Sequence, residues 1–176
     1  ATVLLTRDHR EVHKLFKQDE KLAEAEADGT DRQALAEHIC DLLTVHATVE
    51  EEIFYPAARQ AGVDSDLLDE AEVEHASAKD LIAQIRAMDP GEDLHDAKVK
   101  VLGEYIDHHV EEEEDEMFPK SRKSRMDVTD PAQQRAQRKH ELEPELAEEA
   151  VARGGGELAG GRTPGQARTS AGGEER

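Results

Sequence analysis

The chain reads as an all-α protein, an up-down-up-down four-helix bundle with a polar C-terminal extension, on three observations. Four stretches carry apolar residues at alternating spacings of three and four, the period of helices buried along one face. Short breaks containing Asp, Gly and Pro separate the stretches, so antiparallel neighbours are the economical arrangement. Aromatic residues are 3% of the chain while Ala, Leu, Glu and Lys are plentiful, which favours helix over sheet.

The first predicted helix runs from about Thr2 to Asp28, with Leu5, His9, Val12 and Phe16 on one stripe. Asp28-Gly29-Thr30 breaks it, and Thr30 with Gln33 has the capping-box spacing that opens the second. There Leu35, Ile39, Leu42, His46, Val49, Glu50 and Ile53 share about a third of the circumference, while Glu51, Glu52 and Cys40 fall outside it. Pro56 and Gly62 close the segment. Ser65 is placed to cap a third helix, striped by Leu67, Ala71, His75, Ala78, Ile82 and Ile85. Asp89-Pro90-Gly91 stops that one. A fourth begins near Leu94, and Val99, Leu102, Ile106, Val110 and Met117 define a face that also holds His109 and Glu113. His108 and Glu112 lie about 100° to one side of it.

These readings divide the chain into a bundle over residues 1–122, a polar and partly helical extension over 123–153, and a tail over 154–176. The extension shows no convincing apolar stripe and is interrupted by Pro144. The tail holds eight of the 12 glycines among Arg, Glu, Thr and Ser and is expected to be disordered.

Lys plus Arg number 22 against 42 Asp plus Glu, a net charge of −20 that repels nucleic acid and anionic membrane surfaces. Small molecules, metal cations or basic proteins are the partners such a surface admits. No apolar run approaches the roughly 20 residues of a membrane span. One cysteine precludes an internal disulfide, and the opening ATVLLTRDHRE has no basic-then-apolar leader, so a cytoplasmic protein is expected.

A repeat points to the chemistry. His46 to Pro56, HATVEEEIFYP, returns as His109 to Pro119, HVEEEEDEMFP. In each a glutamate follows the histidine by four residues, so both side chains leave one helix face a turn apart. With His9 and His75, every inward stripe carries a histidine near its middle, and two add Glu50 and Glu113. A lone histidine on an apolar face is ordinarily a satisfied core residue; four in register are not so easily explained. Two ionised carboxylates in an apolar interior need positive charge, and only Lys79, at the edge of the third stripe, offers any nearby. A metal centre supplies it. Four imidazoles and two carboxylates are too many for one tetrahedral zinc and too rich in nitrogen for calcium or magnesium. Shared between two ions, with both glutamates and an oxo or hydroxo group bridging, they give each ion five ligands and leave a six-coordinate iron one open position for dioxygen, hydrogen peroxide or nitric oxide.

The residues DHREV around His9, HxxxEE from His46 ending in FYP, EH at Glu74-His75, and HHVEEEE ending in MFP resemble the hemerythrin-like (HHE cation-binding) proteins over roughly residues 1–122. The resemblance implies a four-helix bundle around a non-haem di-iron centre, with His9, His46, Glu50, His75, His109 and Glu113 as ligands. Oxygen-carrying hemerythrins have a further histidine where this chain has Ala71, and an aspartate where it has Glu114. By analogy the centre is similar to peroxide- or oxygen-reactive di-iron sites rather than to reversible carriers. The expected function is therefore the binding, with reduction or disproportionation, of a small oxidant; an oxygen, nitric oxide or iron sensor or store is the alternative. His13, one turn beyond His9, is expected at the rim, and Tyr55 or Tyr105 could donate a hydrogen bond to a bound oxidant.

Overall fold

A computed structural model describes residues 2–25, 29–89, 91–124 and 130–154, and every regular element among them is helical. Helix α1 spans Thr2–Glu24 and α2 spans Gly29–Val49. A wider π-helical turn, Glu50–Phe54, carries α2 into α3, Tyr55–Gln60. Helix α4 is Ser65–Arg86, and α5, His95–Glu112, passes through a second π-turn, Glu113–Met117, into α6, Phe118–Lys123. Helix α7 is Asp130–Gly154.

The two prolines do not end their segments, as their position in the repeat implied. Pro56 and Pro119 sit in the first turns of α3 and α6, where a missing N–H costs least. Just before each, the backbone N–H of Tyr55 reaches Glu50 O and that of Phe118 reaches Glu113 O, the five-residue bond of a π-turn. The extra residue in each turn rotates the side chains beyond it about the helix axis. Phe54 is thus fully buried in place of Ile53. One cap also differs from expectation. Asp64, not Ser65, caps α4 by accepting from the Asp66 N–H at 3.1 Å. Leu94 enters α5 in the left-handed region at φ 75°.

Helix α1 packs on α2 and α5, and α4 packs on α5 and α2, closing the predicted bundle. Two apolar layers fill it. One gathers Val12, Phe16, Ile39, Leu43, Ile82 and Leu102; the other gathers Leu5, Phe54, Leu68, Ala71, Met117 and Phe118. Leu68 and Leu43 are the buried residues where Leu67 and Leu42 were expected, those two packing against the layers part-exposed. Cys40, expected off the stripe, is buried in the first layer. Gly103 lets α1 come close: a Cβ there would stand 3.2 Å from Phe16 Cδ1.

Helix α7 continues through Pro144, which leaves the carbonyl one turn before it without its usual donor. It packs on α2 and the first π-turn. Arg135, 2% exposed, lies over the Phe54 ring at 5.5 Å, Arg138 donates to Glu52 at 2.7 Å, and Lys139 donates to Asp8 at 2.7 Å. Basic heads on apolar stems do the docking. Apart from Gly154, which ends α7, the tail lies outside the described residues.

Candidate metal centre

Between the two apolar layers lies one polar layer, and all six residues singled out from the sequence are in it. His9, His46, His75 and His109 are buried, and Glu50 and Glu113 have no exposure at all. Nε2 of His9 and of His46 stand 3.1 Å apart, and Nε2 of His75 and of His109 stand 3.2 Å apart. Glu50 Oε2 links the pairs, 3.2 Å from His46 Nε2 and 3.4 Å from His75 Nε2. Glu113 Oε2 does the same, 3.4 Å from His9 Nε2 and 3.8 Å from His109 Nε2. Two donors held at right angles about 2.1 Å from one ion stand about 3.0 Å apart, so both histidine pairs have the spacing of ligands to a shared cation.

The other ring nitrogens face acids. Nδ1 of His9 donates to Glu114 at 2.9 Å, that of His75 to Glu51 at 2.9 Å, and that of His109 to Glu74 at 2.7 Å. His46 Nδ1 faces Asp8 at 3.9 Å, beyond hydrogen-bond length. A carboxylate can only accept, so in His9, His75 and His109 Nδ1 carries a proton, and Nε2 is the nitrogen aimed inward, the orientation a metal-binding histidine needs. Each supporting acid is the chain neighbour of an inner residue on another helix. Glu114, expected as a departure at the centre, supports His9 instead.

The same relation exposes an internal two-fold. Residues 8 and 9 correspond to 74 and 75, and residues 46, 50, 51 and 55 to 109, 113, 114 and 118. The pattern breaks at its last member. The Tyr55 hydroxyl donates to Glu113 Oε1 at 3.2 Å and lies 3.2 Å from His75 Nε2. Its counterpart Phe118 stacks on His9, ring centroids 5.8 Å apart and planes 9° apart.

The donor set fits cations. Neither Glu50 oxygen has a hydrogen-bond partner, nor has Glu113 Oε2, although all are buried. Lone pairs of nitrogen and carboxylate oxygen that face one another at this range need positive charge between them. The cation-free cluster supplies it with protons. Burial opposes charge on His46, but Glu50 and then Asp8 overcome it and hold its pKa up to about 10. His109 is likewise raised, burial being outweighed by Glu74 and Glu113. Burial alone would raise Glu50, yet His46 and His75 hold it well below the carboxylate range.

Beside the four histidines lies a largely enclosed cavity of about 20 Å³, walled by Val12, Leu43, Ala78, Ile82, Ile106 and Val110, with Asp8 and Lys79 at its edge. Lys79 pairs with Glu51 at 2.6 Å. His13 is part-exposed and pairs with Asp107 at 3.0 Å, a rim position as expected. Tyr105 is half-exposed on an outer groove between α4 and α5. Sequence reasoning expected a polar, partly helical segment where α7 lies, but missed its docking on the bundle and missed the supporting acids. The signal for that docking was partial: Val45 is apolar off the predicted inward stripe, and with Leu42 and Val49, both expected on that stripe, it turns toward Arg135 and Ala136.

A four-helix bundle with a buried layer of four histidines and two glutamates defines a cation-binding bundle. The model of the hemerythrin HHE cation binding domain matches residues 1–121, and the chain belongs to that family. Metal binding is the function the family carries. A crystal structure of a hemerythrin HHE cation binding domain-containing protein from Mycobacterium kansasii superimposes with a TM-score of 0.66 at 20% identity, covering 86% of this chain and 91% of that one. Coverage of 86% exceeds the 121 residues of the family match, so the shared fold extends past them. A DNA nickase from Nostoc sp. is 29% identical over 118 residues, 65% of this chain. The chain spans 31% of the length of that curated relative. No helix among the described residues is long and apolar enough to cross a membrane.

Proposed function

We propose that His9, His46, Glu50, His75, His109 and Glu113 hold two iron ions joined by an oxo or hydroxo bridge, and that the centre disproportionates or reduces a small oxidant, hydrogen peroxide or dioxygen. The observation that carries this reading is the cavity of about 20 Å³ against all four histidines. That is room for one or two molecules the size of water, so a diatomic gas or peroxide fits and a larger organic substrate does not. Its apolar walls keep bulk water from the histidines. When bound, iron supplies a redox couple and Lewis acidity that none of these side chains has.

The chain's own residues do the rest. Glu114, Glu51 and Glu74 fix the histidine rings, and Tyr55 orients Glu113. Peroxide disproportionation yields water and dioxygen from two peroxides and so needs no external reductant. Iron-loaded protein is expected to hold about two irons per chain and to release oxygen from peroxide, and His75→Ala to abolish the release. Substoichiometric iron with zinc in its place would sink the reading.

The alternative is a sensor or store of oxygen, nitric oxide or iron using the same residues. The link from Lys139 through Asp8 toward His46 favours it, because it ties α7 to the centre. Sustained peroxide loss distinguishes the two, since a sensor binds without turnover. The nicking activity named for the Nostoc protein is not part of either reading: most of that protein lies outside the match, and a net charge of −20 opposes a phosphate backbone.

A further inference from the structure

The second copy of the sequence repeat contains one histidine–glutamate pair more than the centre uses. HHVEEEE places His108 four residues before Glu112 as well as His109 before Glu113, whereas Val45 and Val49 stand at the matching positions of the first copy. The internal two-fold shows what the difference does. Val45 and Val49 are buried on the side of α2 that turns toward α7, and there Lys139 of α7 brings its ammonium to 2.7 Å from Asp8, the acid facing His46. In the other half Glu74 takes the place of Asp8 and holds His109, but among the described residues no lysine or arginine pairs with it. Its neighbours there are His108 and Glu112.

We infer that His108, Glu112 and Glu74 form a further cation site, outside the buried centre, for an exchangeable divalent first-row metal ion whose remaining positions are filled by water. His108 Nε2 is 3.5 Å from Glu112 Oε1 and 3.7 Å from Glu74 Oε1, and one ligand atom from each of the three residues lies within 4.8 Å of the others. Two donors about 2.1 Å from one ion at a tetrahedral angle stand about 3.4 Å apart, so small movements of exposed side chains close this triad on an ion. One imidazole with two carboxylates suits a manganous, ferrous or zinc ion. The His108 side chain is 63% exposed, which leaves room for water ligands and for direct exchange with solvent. The two-fold points the same way: in the half beside α7 a protein ammonium neutralises the acid behind the histidine, and in the open half a metal ion does so. Glu74 thereby serves both sites, Oε2 accepting from His109 Nδ1 at 2.7 Å while Oε1 faces His108.

The test loads wild type, His108→Ala and Glu112→Gln with ferric iron, counts iron per chain, and titrates each with manganous chloride, bound manganese being read from loss of the free aqua-ion signal in electron paramagnetic resonance. Wild type is expected to bind one manganese per chain above the diffuse uptake of an acidic surface, with pulsed-resonance modulation from a coordinated imidazole nitrogen. Each variant is expected to weaken that binding by roughly tenfold or more with its iron count unchanged. His108→Ala removes no carboxylate, so the general pull of a net charge of −20 does not account for its effect. Equal titrations of wild type and His108→Ala, or bound manganese without nitrogen modulation, would overturn the proposal and leave the buried centre untouched. Fewer than two irons on the wild-type chain would count against the two-iron reading instead, and the difference between wild type and His108→Ala would still decide the outer site.

Discussion

Replacing Glu50 by glutamine keeps the shape of the side chain and removes the charge that both histidine pairs share. Its Oε2 is 3.2 Å from His46 Nε2 and 3.4 Å from His75 Nε2, so in the proposed centre neither cation position would be complete without it. A ligand that binds only the folded chain stabilises it by about 4.1 kcal/mol at 1,000 times its Kd. For a chain of this size about 1 kcal/mol moves the midpoint by roughly 2–4 °C, so each lost cation costs roughly 8–16 °C of the metal-induced shift. The metal-free protein behaves differently. There the substitution relieves the burial of a carboxylate whose two oxygens lack hydrogen-bond partners, and it also removes the anion that holds His46 protonated. Those effects oppose, so the metal-free midpoint is expected within a few degrees of wild type. Thermal unfolding of chelated and metal-loaded protein, with metal counted per chain, separates the two effects. A glutamine variant that retains two metals and the full shift refutes the shared-carboxylate geometry.

Two further outcomes are expected. Arg135→Ala removes the guanidinium over Phe54 and the stem beneath it, and should lower stability by about 2 kcal/mol in urea unfolding; an unchanged midpoint would mean that α7 does not dock in solution. With His46 held up to about 10 in the metal-free fold against an ordinary 6.5, its proton favours folding fully below pH 6.5 and that stabilisation fades as pH rises to 10. The chelated protein should accordingly lose thermal stability across that window while metal uptake strengthens, because protons must leave before cations enter. A flat midpoint from pH 6.5 to 10 would contradict the assigned protonation.

Helix periodicity made the bundle and the inward residues legible. His9, His46, His75 and His109 share stripes with apolar neighbours, and phase alone separated Glu50 from Glu51 and His109 from His108. Periodicity failed where the helix ceased to be regular: the π-turns after Val49 and Glu112 add a residue, so Phe54 rather than Ile53 turned inward. It also failed where burial came from both sides, as for α2 beneath α7. The supporting acids were invisible for a third reason. Glu51, Glu74 and Glu114 look like ordinary solvated charges on their own helices, and only the neighbouring helix reveals what they hold.

That cross-helix pairing of adjacent residues has a consequence for how the chain can vary. Because Asp8 and His9, Glu50 and Glu51, Glu74 and His75, and Glu113 and Glu114 each serve two different partners, a one-residue slip of any helix would put an acid where a ring belongs and strand a second ring at the same time. The halves are woven rather than stacked: His9 leans on the fourth rod and His75 on the second. Cutting the chain between α4 and α5 would leave two fragments, neither holding every residue of even one of the proposed cation seats.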